Sequence, residues 1–232
     1  PYIITDETMK DMDELMKVFP PEVLKAFNMD MTSISTAYGW VKTEGFMFVL
    51  IIIGIYSSVL GANCVLKEEN DKTIEYLSFL PITRSKIMSN KIFVSIVYIF
   101  LMVILFGTFN YIALSISGEF DHKQFILLSI TPLFIALPLF GINLFISTFL
   151  HKAKKTMGIS LGIVFVFYII SVLAELSDKV EFLKYFTVYT LADVRGVISN
   201  IEINPINIII SFGITILFIV GAYISYNKKE FI

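Results

Sequence analysis

The sequence predicts an all-α, polytopic membrane helix bundle, and three observations support it. The 18 Lys and Arg and the 20 Asp and Glu all fall outside five apolar stretches, 46–65, 92–116, 125–150, 157–174 and 206–226. At ~1.5 Å per residue, about 20 helical residues cross a ~30 Å hydrocarbon core, and each charge placed mid-membrane costs at least ~2.5 kcal/mol. Composition agrees: 56% of residues are hydrophobic, 16% are charged and mean hydropathy is +0.78, whereas soluble domains carry about 25% charge. The third observation is the distribution of Lys and Arg. Segments 66–91, 151–156 and 227–232 hold 10 of the 18 in 38 positions; segments 1–45, 117–124 and 175–205 hold 8 in 84. The positive-inside rule makes the first set cytoplasmic.

This orientation puts Pro1 outside the cell membrane and the carboxyl terminus inside. An exported arm of 45 residues needs something to carry it across, so a further helix is expected ahead of Pro1. That would bring five spans to six, with both ends in the cytoplasm. Two regions follow: an extracytoplasmic arm, 1–45, and a transmembrane domain, 46–232.

Along the arm, Met9, Met12, Leu15, Met16 and Phe19 recur at helical spacing, and Pro20 and Pro21 end that helix and open another. Tyr38 and Trp40 suit an interfacial anchor before the first span. After that span, Glu68, Glu69 and Asp71 crowd what reads as the start of a short helix, where the macrodipole favours acids. Ile74, Leu77 and Pro81 then form one stripe, with Thr73 and Leu80 beside it and Glu75 facing away. Thr83 is placed to cap the next helix, which runs through Arg84 into the second span. The outcome is an amphipathic helix at about 68–81 on the inner membrane face. Its mixed charge suits a protein partner better than anionic lipid.

The third span holds Pro132 and Pro138, which free backbone carbonyls and kink the helix. Asn63, Asn110 and Asn143 are single amides in or near spans. They serve as hydrogen-bonding glue between helices, or line a substrate path together with the two prolines. The external segment 175–205 mixes Phe182, Tyr185, Phe186, Tyr189 and Leu191 with charge, which predicts short helices at or dipping into the outer interface.

Catalysis is not expected. Gly158-Ile-Ser160-Leu-Gly162 matches a hydrolase nucleophile pattern, but it opens a span, and the two histidines, His122 and His151, lie in loops. It reads instead as a Gly-xxx-Gly packing face. Glu68-Glu69 evokes a glutamate-type intramembrane protease, yet Thr73 stands where that pattern needs arginine. Cys64 is the lone cysteine, which excludes an intrachain disulfide, and no metal site is expected. A phosphate-cradling Gly-x-x-x-x-Gly-Lys loop is missing as well.

The stretch Lys67–Arg84 resembles the loop after the second span in bacterial type-2 ABC exporter permeases. Glu68, Glu69, Thr73, Glu75, Leu77, Leu80, Pro81, Thr83 and Arg84 carry the match, and Lys72 replaces a frequent glycine. Pro21–Phe27 and the closing Tyr226–Ile232 are also similar to that family. The resemblance implies a membrane subunit that pairs with a second permease and docks on ATPase subunits, which bind the ATP and Mg. No nucleic-acid partner is expected, and lipid surrounds the bundle. The coupling helix at about 68–81 would receive the ATPase through Glu68, Glu69, Thr73, Ile74, Glu75, Leu77, Leu80, Pro81 and Arg84. Asn63, Asn110, Pro132, Pro138 and Asn143 are the candidate path. Uncharged spans favour export of an amphipathic or hydrophobic cargo such as a peptide, lipid or drug-like molecule. A membrane scaffold or immunity-type protein is the alternative, with a glutamate protease behind it.

Overall fold

A computed structural model describes residues 18, 37–71, 73, 81–118, 120–176 and 178–228. Among them the secondary structure is helical, with no strand. A helical turn at Ala37–Trp40 and a π turn at Val41–Gly45 lead into α1 (Phe46–Asn70). There follow α2 (Arg84–Ser117), α3 (His122–Ile130), α4 (Leu133–Ser147), α5 (Ala153–Leu176), α6 (Val194–Asn200) and α7 (Pro205–Lys228). Two 3₁₀ segments, Asp178–Phe186 and Tyr189–Ala192, lie between α5 and α6. Among the described residues, five stretches are long and apolar enough to cross a membrane: α1, α2, α3 with α4, α5 and α7. The predicted bundle of five spans is therefore present. The arm before residue 37, apart from Val18, lies outside the described residues.

The bundle is built around α4, which is apolar on every side; a helix of that kind must be enclosed. Twelve of its fifteen residues are buried. It is flanked by α1 and α7, α5 lies against α1, and α2 touches α1, α4 and α7. By contrast α2, α5 and α7 bury only 17–22% of their apolar windows. Their remaining apolar surface, including Phe93, Ile104, Phe165, Ile169, Ile209 and Leu217, is what a hydrocarbon surround requires.

Contact between α1 and α4 depends on a small-residue face on α1: Gly54, Ser57, Ser58, Gly61 and Ala62, all buried. A Cβ at position 61 would lie 2.5 Å from the Phe140 carbonyl oxygen and 3.0 Å from the Leu144 nitrogen. The two backbones touch there. Gly141 plays the same part toward α7, where a Cβ would meet the Thr215 carbonyl at 3.2 Å. Close approach of this kind replaces the hydrophobic drive that helices lack inside a bilayer.

The two prolines of the third span behave differently. Pro132 breaks it, ending α3 at Ile130 and starting α4 at Leu133. The Leu128 carbonyl, which a proline nitrogen cannot serve, accepts instead from the Thr131 amide (3.1 Å) and hydroxyl (2.9 Å). Pro138 stays within a continuous α4. Its missing N–H leaves the Phe134 carbonyl open, and Ser211 of α7 donates its hydroxyl there at 3.0 Å. Ser211→Ala should therefore cost about 1 kcal/mol in detergent thermal unfolding. In a Pro138→Ala background, which restores the helical donor, the same change should be nearly silent.

Three expectations are corrected. Asn110 and Asn143 do not bridge helices; their amides donate to Phe106 and Leu139 of their own helices. A serine does the bridging, Ser211 to Phe134, whereas Ser147 gives its hydroxyl proton to Leu144 of its own helix at 2.6 Å. Gly158 and Gly162 do not pack within this chain, since a Cβ at either would meet nothing within 4 Å. Finally, Glu68 and Glu69 do not start a helix. They end α1, which runs unbroken to Asn70 because neither Gly nor Pro interrupts it after Gly61.

Candidate functional site

Acids at a helix carboxyl end oppose the macrodipole by about 0.3–1 kcal/mol each, so the foot of α1 needs compensation. Lys91, two turns into α2, supplies it. Its ammonium pairs with the Glu68 carboxylate and donates to the Cys64 carbonyl at 2.9 Å. The remaining carbonyls close locally: Asp71 N–H donates to Lys67 at 2.9 Å, and Thr73 donates its amide to Glu68 at 2.9 Å. Across the gap, Thr83 caps α2 as predicted, accepting from the Lys86 amide at 3.4 Å.

Another face of α2's foot is tied to α7. Ser85 donates to the Asn227 side-chain oxygen at 3.4 Å, Ser89 and the Tyr223 hydroxyl share a hydrogen bond, and Tyr223 also donates to the Ser85 carbonyl at 3.2 Å. Between these polar faces Met88 and Ile92 are buried. The segment 71–83 thus joins two anchored helix feet. Of the residues singled out in its sequence, Glu68 lies in α1, Thr73 and Pro81 are exposed, and Arg84 opens α2, exposed. Glu69 ends up in the last turn of α1. Ile74, Glu75, Leu77 and Leu80 lie outside the described residues.

At the opposite end, the segment after α5 folds back into the bundle. Thr187 donates to the Phe167 carbonyl at 2.7 Å, and Tyr189 packs edge-on against Tyr168 with ring centroids 5.7 Å apart. Phe167 lies nine residues inside the α5 end, roughly 13 Å deep at helical rise. The Tyr189 ring enters the slot vacated at Gly54, where a Cβ would sit 2.5 Å from its hydroxyl oxygen. The predicted dip is real for Val188, Tyr189 and Leu191, which are buried, whereas Phe182, Tyr185 and Phe186 remain exposed. No partner satisfies the Tyr189 hydroxyl. Tyr189→Phe should accordingly leave thermal stability unchanged or raise it by up to ~1 kcal/mol.

The same end is tied together by Tyr38, which donates to Gln124 at 2.6 Å, while Gln124 donates to the Ile198 carbonyl of α6 at 2.8 Å. Burial, and then the Asp121 carboxylate, push the Tyr38 hydroxyl well above the usual phenol range, so it remains a donor. Beneath it opens an apolar groove of about 180 Å³ between α1, α2 and α3. Asn110 and Pro132 line it, with Phe48, Ile52, Phe106 and Phe125. Asn63 is half-buried on α1, and Pro138 and Asn143 are enclosed in α4. The five polar or proline positions therefore do not form one surface.

The family model for ABC-2 family transporter proteins matches residues 5–231. The chain belongs to the ABC-2 transporter family. No curated protein and no solved structure matches it. As an ABC-2 member with five span-length helices, it is a multi-pass membrane permease subunit of an ABC transporter rather than a catalytic chain. An ABC-2 permease needs both a route through the bundle and a place to receive work. The sequence placed Lys91 on the helix that runs into the second span but gave it no role at the site, and Tyr223 was not singled out. The one available signal for Lys91 was its opposite charge to Glu68, each residue just beyond a span end.

Proposed function

We propose that this permease exports an amphipathic or hydrophobic cargo across the cell membrane, driven by ATP and Mg bound in a partner ATPase subunit. The observation that carries this reading is the pair of tied helix feet, of α1 and α2, at the two ends of segment 71–83 in a chain of the ABC-2 family. The ends of this loop lie where the bundle's basic residues gather, which makes that side cytoplasmic by the positive-inside rule. The contact itself is assigned to the stripe Ile74, Leu77, Leu80 and Pro81, flanked by Glu69, Thr73, Glu75 and Arg84. A second permease chain would complete the route, and Asn110 and Pro132 on the outer groove are the better candidates for contact with cargo than Pro138 or Asn143.

Mild-detergent extraction from native membranes tests the reading. The chain should co-purify with a nucleotide-binding subunit whose ATP hydrolysis survives extraction. Recovery of the folded chain with no nucleotide-binding protein would overturn it and favour a membrane scaffold.

A further inference from the structure

A force applied to the segment 71–83 reaches α1 and α2 through the helix feet at its two ends. A loop whose feet were free could absorb a push by changing its own shape. This one has feet held by specific polar groups on two faces of one helix. Residues Ser85 and Ser89 point to α7, and Lys91 points to α1. At 100° per residue these faces are roughly 120–160° apart. The buried Met88 and Ile92 lie between them as the edge of a wedge.

We propose that the first two turns of α2 form a transmission block, with Lys91 as the positioning residue toward α1 and Tyr223 as the positioning residue toward α7. Glu68 then acts inward through Lys91 and not on a partner's surface. The ammonium engages both a carboxylate and a main-chain carbonyl of α1, so displacement of the foot of α2 carries α1 with it. The Tyr223 hydroxyl engages both the Ser89 side chain and the Ser85 carbonyl, and carries α7. Lys91 and Glu68 keep only 19% and 23% side-chain exposure, so water competes little for the pair. The two ties are separate, and each can be cut alone. This inference rests on the loop as the point where the ATPase acts.

The test uses the assembled transporter in native membranes, in a Cys64→Ala background that keeps the residue-64 carbonyl. One reporter cysteine is placed at a time near the far ends of the two driven helices, Lys42→Cys ahead of α1 or Ile206→Cys on α7. Maleimide labelling rates are compared with and without ATP and vanadate. With both ties intact, nucleotide should change both rates about fivefold or more, the range of ordinary allosteric coupling. Lys91→Met should erase the change at position 42 and keep it at 206; Tyr223→Phe combined with Asn227→Ala, which also removes the Ser85 bond to α7, should do the reverse. ATP hydrolysis should persist in both, and Lys91→Arg, which keeps donors for both the Glu68 carboxylate and the residue-64 carbonyl, should preserve the response at position 42.

Loss of both responses together in either variant, or wild-type responses in both, would overturn the inference. So would loss of the response at position 42 in Lys91→Arg. If the parent protein shows no nucleotide response at all, the coupling role of the loop falls and this inference falls with it. A normal parent with unaltered Lys91 and Tyr223 variants would remove the transmission block alone.

Discussion

Replacing Gly61 by valine is expected to unfold the contact between α1 and α4. The Cβ would lie 2.5 Å from the Phe140 carbonyl oxygen and 3.0 Å from the Leu144 nitrogen. Both are main-chain atoms of the most enclosed helix, so no side-chain rotation can make room. The helices must separate, and every small residue beside Gly61 loses its contacts. Overpacking of this kind costs about 1–3 kcal/mol or more, and for a chain of this size each kcal/mol lowers the thermal midpoint by roughly 2–4 °C. Gly158→Val provides the control, because nothing lies within 4 Å of that position; its effect should stay under about 0.5 kcal/mol. Detergent-extracted protein heated and passed over a sizing column gives the comparison. Equal losses at the two positions would show that α1 and α4 do not meet at Gly61.

Arginine at both Ile74 and Leu77 should release the ATPase subunit without disturbing insertion. Each apolar side chain buried at a contact contributes about 1.5–3 kcal/mol, and a charge in its place adds a desolvation cost. Together they should reduce co-purified ATPase by at least tenfold, which corresponds to about 1.4 kcal/mol. Both positions precede α2 and lie outside the apolar spans, so membrane insertion and thermal stability should be unchanged. Wild-type recovery of the ATPase with the doubly substituted chain would refute the stripe as the docking surface. Glu68→Gln would behave differently, retaining the ATPase while loosening Lys91 from α1.

Span number was legible because lipid penalises charge so heavily that five uncharged windows admit few alternatives. The Thr83 cap was legible too, since it is local, a hydroxyl serving an amide three residues on; the prolines were read as two kinks, whereas Pro132 breaks the span and Pro138 stays within a continuous helix. The dip of the 175–205 segment could be anticipated from its aromatic content, but not which rings enter. Tyr189 is buried and Tyr185 is 80% exposed, and only the slot at Gly54 separates them. The start assigned to the loop helix failed for a cooperative reason. An established helix propagates through a few acids more easily than a new one nucleates, so Glu68 and Glu69 became the end of α1.

The sequence by itself determined that this chain carries five stretches long and apolar enough to cross lipid, and which transporter family it resembles. Those properties follow from transfer free energies summed along the chain, and they need no neighbour. Tertiary structure alone decided that α4 is the centre, that Ser211 repairs the carbonyl opened by Pro138, and that Lys91 joins α2 to α1 while Tyr223 joins it to α7. Each of these depends on which helix faces stand within hydrogen-bond reach. That is fixed by small residues letting backbones touch, a geometric condition that no single segment contains.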